Sequence, residues 1–324
     1  MKVKKLIICF IITVLVIVAG YIILSSVFKE EKENDKPING KDISKEEYIY
    51  KEELLTLGYT SQEIETIENK ISDSNVKEYL LTKKYDNLTS FIKSPYFDIT
   101  KLDRYENYAN KNTEFTGDQV VLYVEIGLDI EFYTNIKVVE NYKEVDTIVN
   151  KYNQLPEDAS FDDLVTLQKP YSNNGRRTRK VSYDHFVEMV DAASKDGIKL
   201  YAVSGFRTWS QQNSLFNNAK KKSLEEALWY SAKPGHSEHQ LGLALDINTA
   251  NSDTHFEKSK EYEWLKQNSY KYGFVERYPK DKEFITGYAF EPWHYRYFGV
   301  DIATTMVEED ITYEEYLVIH KNSY

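Results

Sequence analysis

A run of 23 residues without a charge, residues 6–28, places the strongest constraint on this chain. A helix of that length spans about 35 Å, enough to cross the roughly 30 Å hydrocarbon core of a bilayer. The run exceeds the apolar part of a cleavable signal peptide, which has about 7 to 15 residues. Three lysines precede it, and such flanks stay in the cytoplasm. The sequence predicts a signal anchor over residues 1–28, a single-pass location in the cell membrane and an extracytoplasmic remainder, with cleavage after the run left open.

Charge and cysteine content narrow the class of protein further. The chain has 41 basic and 52 acidic side chains and a net charge of −11. This balance argues against nucleic acid as a partner, because phosphate binding is driven by clustered Lys and Arg. The only cysteine, Cys9, lies inside the apolar run, so the exported part can form no disulfide. These features together are typical of a bacterial surface protein.

The exported part divides into a linker and two larger regions. Residues 29–43 are strongly polar and read as a linker. Residues 44–145 are predicted to be mainly helical, and they hold no cluster of His, Cys or paired acids, which favours a spacer or a docking region whose partner is unknown. Within them, the β-branched and aromatic stretch 119–139 indicates strands. Residues 146–324 alternate helical and strand patterns and are predicted to form a compact α+β domain.

The clearest strand pattern is "LGLALDI", residues 241–247. Side chains alternate across a strand, so Asp246 shares a face with Gly242 and Ala244, opposite the leucines. A carboxylate beside such small residues has space in front of it. His239 is seven residues before Asp246, an odd offset, so a bend near Gly242 is needed to bring the two side chains together.

A second group of polar residues lies in "EPWHYRY", where Glu291 and His294 are three residues apart. A turn at Pro292 would bring them to one side. Two histidines and one aspartate with an open fourth position are the pattern of catalytic zinc, and Glu291 would be free to act as a base. Spacing alone leaves open that each histidine is structural and bonded to a backbone carbonyl.

Three segments resemble the VanY-like D-alanyl-D-alanine carboxypeptidases, zinc peptidases of bacterial cell-wall metabolism. The segments are "SGFR" at 204–207, "PGHSEHQLGLALDI" at 234–247 and "EPWHYRYFG" at 291–299. The S-x-H-x-x-G-x-A-x-D signature of that family is met by Ser237, His239, Gly242, Ala244 and Asp246, and its E-x-x-H by Glu291 and His294. The resemblance covers roughly residues 146–300 and implies a zinc peptidase domain with a small antiparallel sheet covered by helices.

The resemblance also implies roles for individual residues. It gives three Zn²⁺ ligands: His239, Asp246 and His294. It implies that Glu291 is the catalytic base and that Arg207 steadies the polarised carbonyl or the substrate carboxylate, since a guanidinium can bind two oxygens. Ser237 and Gln212 match positions that help to hold the terminal D-alanine.

Other polar and aromatic residues near the motifs are expected to be supporting. His236 is interpreted as a supporting or surface histidine, and Glu238 as facing solvent or supporting a ligand from behind. Trp293 and residues 295–297 either form a wall of the cleft or pack in the core. Three histidines outside the motifs are expected to be structural or exposed: His185, His255 and His320.

The sequence therefore predicts a membrane-anchored zinc carboxypeptidase that removes the C-terminal D-alanine from peptidoglycan stem peptides. Two alternatives remain open. In the first, the protein is an L,D-carboxypeptidase or a peptidoglycan endopeptidase of the same family, because these enzymes share the metal site. In the second, the domain is a non-catalytic, zinc-stabilised wall-binding module.

Overall fold

The computed structural model describes residues 45–173 and 175–321. The predicted signal anchor (1–28) and linker (29–43) lie outside these described residues. Among the helices that are described, none is long and apolar enough to cross a membrane. Residues 65–173 and 175–321 form one compact unit, and residues 45–64 belong to another. The domain boundary between residues 145 and 146 stays a prediction.

The first described part of the chain is mainly helical. Its α-helices are α1 (Lys45–Thr56), α2 (Ser61–Lys70), α3 (Ser74–Leu80), α4 (Leu88–Phe91), α5 (Leu102–Ala109) and α6 (Gly117–Ile126). A two-residue strand β1 (Lys137–Val138) follows and pairs in parallel with β2 (Asn153–Gln154).

The strand prediction for residues 119–139 is wrong except at Lys137–Val138, because α6 occupies residues 119–126 and turns follow it. The Thr116 side chain accepts a hydrogen bond from the Gln119 N–H, and the Gln119 side chain accepts one from the Thr116 N–H, which completes a capping box. Gly127, with φ of 92°, ends the helix in the left-handed conformation. Burial of side chains on several sides of α6 outweighs the weak strand preference of its valines. The buried residues are Val120, Val121, Tyr123, Val124 and Ile126.

The remaining elements build the α+β part of the chain. The helices are α7 (Lys180–Lys195), α8 (Trp209–Lys220), α9 (Leu224–Tyr230), α10 (Lys260–Asn268), α11 (Glu283–Thr286), α12 (Val300–Glu308) and α13 (Tyr313–Lys321). The strands are β3 (Leu164–Thr166), β4 (Arg177–Arg179), β5 (Tyr201–Ser204), β6 (Ala244–Asn248), β7 (Phe274–Glu276) and β8 (His294–Tyr297).

A four-stranded antiparallel sheet in the order β5-β6-β8-β7 lies at the centre. This confirms the predicted small antiparallel sheet covered by helices. The strand β6 was predicted from its alternating pattern, whereas β7 was not, since its three residues are too few to show such a pattern.

The sheet has one apolar face, on which the main core packs. Leu243, Leu245 and Ile247 are fully buried in this core together with Phe186 and Met189 of α7. Each such side chain removed from water contributes about 1.5–3 kcal/mol. Because alternate residues of β6 are fixed in the core, Asp246 is held on the opposite face, as the alternation predicts.

Glu276 on β7 is a half-buried carboxyl that gives the fold a pH dependence. Its carboxylate accepts a hydrogen bond of 2.8 Å from the Tyr262 hydroxyl. Burial raises the pKa of Glu276 to about 7. The folded state therefore holds this proton more tightly than the unfolded chain, and the stability from Glu276 is lost as the pH rises from about 4.5 through about 7.

Glu276→Gln is therefore expected to gain stability relative to the wild type as the pH increases. The difference in free energy of unfolding should shift in favour of the variant by up to about 3 kcal/mol between about pH 4.5 and about pH 8. Urea unfolding at both pH values measures it, with the exposed Glu308→Gln as the matched control. A difference between E276Q and wild type that is the same at both pH values would contradict this assignment.

Candidate metal centre

Two neighbouring strands bring Asp246 and His294 together. Asp246 on β6 is directly opposite His294 on β8 in the antiparallel register. Opposed residues of such a pair project from the same face of the sheet. The Asp246 Oδ1 and His294 Nδ1 atoms accordingly lie 3.2 Å apart, although 48 residues separate them in sequence.

His239 reaches the same carboxylate through a bend. It lies in a short 3₁₀ helix, Glu238–Leu241, which ends at Gly242 with φ of 67°. A side chain at Gly242 would also meet the Arg179 side chain at 2.9 Å, so glycine is needed there for both reasons. The bend places His239 Nε2 3.2 Å from Asp246 Oδ1 and thereby confirms the predicted change of direction near Gly242.

The three side chains fit a zinc ion. One donor atom from each of His239, Asp246 and His294 lies within 4.8 Å of the others, and all three residues are buried. Donor atoms about 2.1 Å from a tetrahedral zinc lie about 3.4 Å apart, close to the 3.2 Å of both Asp–His contacts. Two imidazoles and one carboxylate leave a fourth position free, as in catalytic zinc sites.

The electrostatics of this cluster favour a positive charge. Burial opposes ionisation of Asp246, but the two neighbouring imidazoles hold its pKa well below the usual value. Burial and the Arg207 charge lower the pKa of His239 to about 4, so its imidazole is neutral at about pH 7, the form that binds metal. Burial also opposes charging of His294, but hydrogen bonds to Asp246 and Glu238 raise its pKa to about 9. A position that stabilises a proton between two carboxylates is also suited to a divalent cation.

Glu291 lies beside the cluster, as the sequence predicts. The His294 N–H donates to the Glu291 carbonyl at 3.0 Å, which closes the expected turn around Pro292. The Glu291 Oε2 atom is 3.8 Å from His294 Nδ1. Burial raises the pKa of Glu291 to about 7, and the negative charge of Asp246 adds to this effect. A bound cation would lower this pKa again, because positive charge favours the carboxylate.

Arg207 and Gln212 lie on the other side of Asp246. Arg207 Nη2 donates to Asp246 Oδ2 at 3.2 Å and to Ser204 Oγ at 2.9 Å. Arg207 Nη1 donates to Gln212 Oε1 at 3.3 Å, while the Gln212 amide donates to the Ala232 carbonyl at 2.8 Å. Gln212 therefore contacts Arg207 directly.

A polar cavity of about 220 Å³ contains this group of residues. The predicted site residues all line it: Arg207, Gln212, Ser237, His239, Asp246, Glu291 and His294. Trp293 lines it too and is 36% exposed, whereas Tyr295 and Tyr297 pack in the core. Tyr278 and Tyr288 also line the cavity, and no motif in the sequence pointed to them.

Two supporting residues lie deeper than expected. His236 is buried, its Nδ1 is 2.6 Å from the Asn150 carbonyl, and it is not part of the cluster. Glu238 is 1% exposed, so the option that it faces solvent is wrong. It contacts His294 from behind, and although burial opposes its ionisation, Arg277 and Arg296 lower the pKa of Glu238 well below its usual value.

A buried His–Asp–His cluster with a carboxylate and a guanidinium in one polar cavity defines the class of metal-dependent hydrolases. The family model for VanY, D-alanyl-D-alanine carboxypeptidase, matches residues 175–300, which include every predicted site residue. YodJ of Bacillus subtilis (strain 168), a putative carboxypeptidase by name, is 37% identical over 226 residues, 67% of this chain and 83% of that protein. This chain belongs to the VanY family and is a zinc-dependent carboxypeptidase.

Two further similarities place it within that family. A D-alanyl-D-alanine carboxypeptidase of Enterococcus faecalis (strain ATCC 700802 / V583) is 39% identical over 184 residues, 54% of this chain and 66% of that protein. The solved structure of the LdcB LD-carboxypeptidase is 37% identical with a TM-score of 0.54, covering 58% of this chain and 92% of LdcB. The resemblance predicted from the three motifs is thereby confirmed.

Proposed function

We propose that the protein hydrolyses the C-terminal D-alanine from peptidoglycan stem peptides, with His239, Asp246 and His294 as the zinc ligands. The observation that carries this proposal is the convergence of these three side chains and Glu291 in one cavity. Zinc bound there would polarise the scissile carbonyl and lower the pKa of a water molecule.

Glu291 is the base in this proposal. Its carboxylate accepts a proton from the attacking water and later donates it to the amine of the leaving D-alanine. The Glu291 Oε2 atom is 3.8 Å from His294 Nδ1, and this short distance to a proposed zinc ligand supports the role of Glu291 as base. The nucleophile is water, so no covalent intermediate between peptide and protein forms.

Arg207 stabilises negative charge on the substrate. Its guanidinium is fixed by Ser204, Gln212 and Asp246, so it is oriented before the peptide binds. Such preorganised donors stabilise an oxyanion more than mobile ones do. Gln212 supports this arrangement, and Ser237, which lines the cavity, would contact the terminal D-alanine.

The D,D specificity rests on sequence similarity, and an L,D specificity is the second candidate. The enterococcal relative is named as a D-alanyl-D-alanine carboxypeptidase, whereas the similar solved structure is an LD-carboxypeptidase. The metal ligands do not distinguish these bonds, because the stereochemistry of the penultimate residue is read by the cavity walls.

Muropeptides with different C-termini test the specificity. The zinc-loaded full-length chain in detergent is expected to release D-alanine from stems ending in D-Ala-D-Ala, and mass spectrometry of the products measures this release. A chelator should stop the release and added zinc should restore it. Release only from stems ending in L-Lys-D-Ala or its diaminopimelate equivalent would establish the L,D alternative, and cleavage only within cross-links would establish an endopeptidase. No cleavage of any substrate would contradict a peptidase function.

We also propose that the uncharged run over residues 6–28 anchors the protein in the cell membrane, with the site outside the cytoplasm. The length of the run and its preceding lysines support this orientation. Peptidoglycan lies on that side of the membrane, so substrate and site would share a compartment. The full-length chain should sediment with membranes, and its recovery in the soluble fraction after cell lysis would contradict the anchor.

A further inference from the structure

The side of His294 that faces away from Asp246 contacts a buried carboxylate. His294 Nε2 is 3.4 Å from Glu238 Oε2, and both side chains are almost inaccessible to solvent. We infer that Glu238 is a positioning residue for the metal centre: it accepts the Nε2–H of His294 and thereby leaves the Nδ1 lone pair free for zinc. This inference rests on the ligand set of the proposed function.

Glu238 is held as an anion that can only accept hydrogen bonds. Its Oε1 accepts from Arg277 Nε at 2.9 Å and from Arg296 Nη1 at 3.2 Å. The other oxygen, Oε2, is therefore the one turned to His294. A carboxylate behind a metal-bound histidine fixes the tautomer and the ring orientation and raises the basicity of the imidazole.

The anion is part of a balanced buried network. Arg277 also binds Glu314 through two parallel contacts, Nη1–Oε2 at 2.8 Å and Nη2–Oε1 at 2.6 Å. The second arginine, Arg296, donates to the backbone carbonyls of Val145 and Thr147 at 2.8 Å each. Two carboxylates and two guanidiniums thus neutralise each other, so Glu238 can stay charged without solvent.

Through this network, helix α13 supports the metal centre. Glu314 lies on α13, beyond the residues 175–300 that match the family model. Asn150, from the segment before that match, donates to Glu314 Oε1 at 3.1 Å. The position of His294 therefore depends on chain segments on both sides of the family motifs.

The two histidines are held by different acceptors, which predicts opposite tautomers. His239 Nδ1 is 2.9 Å from the neutral Gly205 carbonyl, so His239 offers Nε2 to the metal. His294 faces the Glu238 carboxylate with Nε2 and so offers Nδ1. One ligand thus carries its proton on Nδ1 and the other on Nε2.

Glu238→Gln tests the inference through metal affinity. The carbonyl of the introduced glutamine would keep the contacts with the arginines, so its amide N–H₂ would face His294 Nε2. Two donors cannot share a hydrogen bond, and the variant should therefore favour a His294 proton on Nδ1, the atom that zinc needs. We expect a zinc dissociation constant about 10- to 100-fold higher than that of the wild type, measured by competition with a chromophoric chelator. The matched control is Glu276→Gln at a half-buried carboxyl on the same sheet, which should leave zinc affinity unchanged.

A second measurement needs no variant and decides the matter if E238Q fails to fold. In zinc-loaded full-length wild type, ¹⁵N-histidine NMR should show one ligand with a protonated Nδ1 and one with a protonated Nε2. Two ligands protonated on Nδ1, or a folded E238Q with unchanged zinc affinity, would overturn the inference. Failure of the proposed function is a different result, in which wild-type protein does not bind zinc or releases no D-alanine.

Discussion

Glu291→Gln is expected to lower kcat for D-alanine release by about 10² to 10⁴-fold while the protein still binds zinc. Glutamine has nearly the same shape as glutamate but no basic oxygen, so it cannot take the proton from water. The loss should appear in kcat with little change in KM, because proton transfer belongs to the transition state. Release of D-alanine by the zinc-loaded variant, measured at saturating substrate, gives the effect.

Stability and metal content serve as the controls for this variant. Glu291 faces the negative charges of Asp246 and Glu238, so a neutral side chain removes repulsion and should not destabilise the fold. Zinc content should stay at one ion per chain, and Glu276→Gln should keep wild-type turnover because Glu276 is bonded to Tyr262 outside the cavity. An E291Q protein with kcat within about tenfold of the wild type would remove Glu291 from the mechanism and require another base for the attacking water.

The part of the site that local sequence encodes was predictable. The alternation in β6 fixes the direction of Asp246 without reference to the rest of the chain, and the position of Gly242 indicates where the chain must bend. The strand register that pairs Asp246 with His294 is not local, however, because 48 residues separate them. The predicted convergence came from the family resemblance, and the antiparallel pair β6–β8 supplies its physical cause.

The supporting network was not predictable from the sequence in the same way. A glutamate between a serine and a histidine in a polar segment is typical of a surface residue, yet Glu238 is fully buried. Its burial depends on Arg277 and on Glu314, which both lie far from it in sequence. The same limit explains why the residues of α6 were predicted to form a strand. Its valines indicate a strand, but the residues that bury this helix come from elsewhere in the chain, including Ile285 and Val318.

Arg277→Met is expected to cause the largest loss of stability of any variant considered, about 3–5 kcal/mol in the free energy of unfolding. Methionine approximates the length of the arginine stem, so the main change is the loss of charge. Glu238 and Glu314 would then lose their shared partner while both remain buried. Taking a lone carboxylate out of water is costly, and Arg296 contacts only one of the two.

A double variant separates this electrostatic effect from a packing defect. Glu314→Gln removes one of the two stranded charges, so R277M/E314Q should be more stable than the sum of the two single losses predicts. Urea unfolding of the zinc-loaded proteins measures the stability of the two single variants and the double variant. The control is Lys83→Met, which breaks an exposed ion pair with Asp103 and should leave the unfolding midpoint unchanged. The buried charges do not depend on each other if R277M lowers the free energy of unfolding by less than about 1 kcal/mol, or if the losses of R277M and E314Q simply add in the double variant. Coupling between them would mean that the network holding His294 in place is also a condition for the folded state.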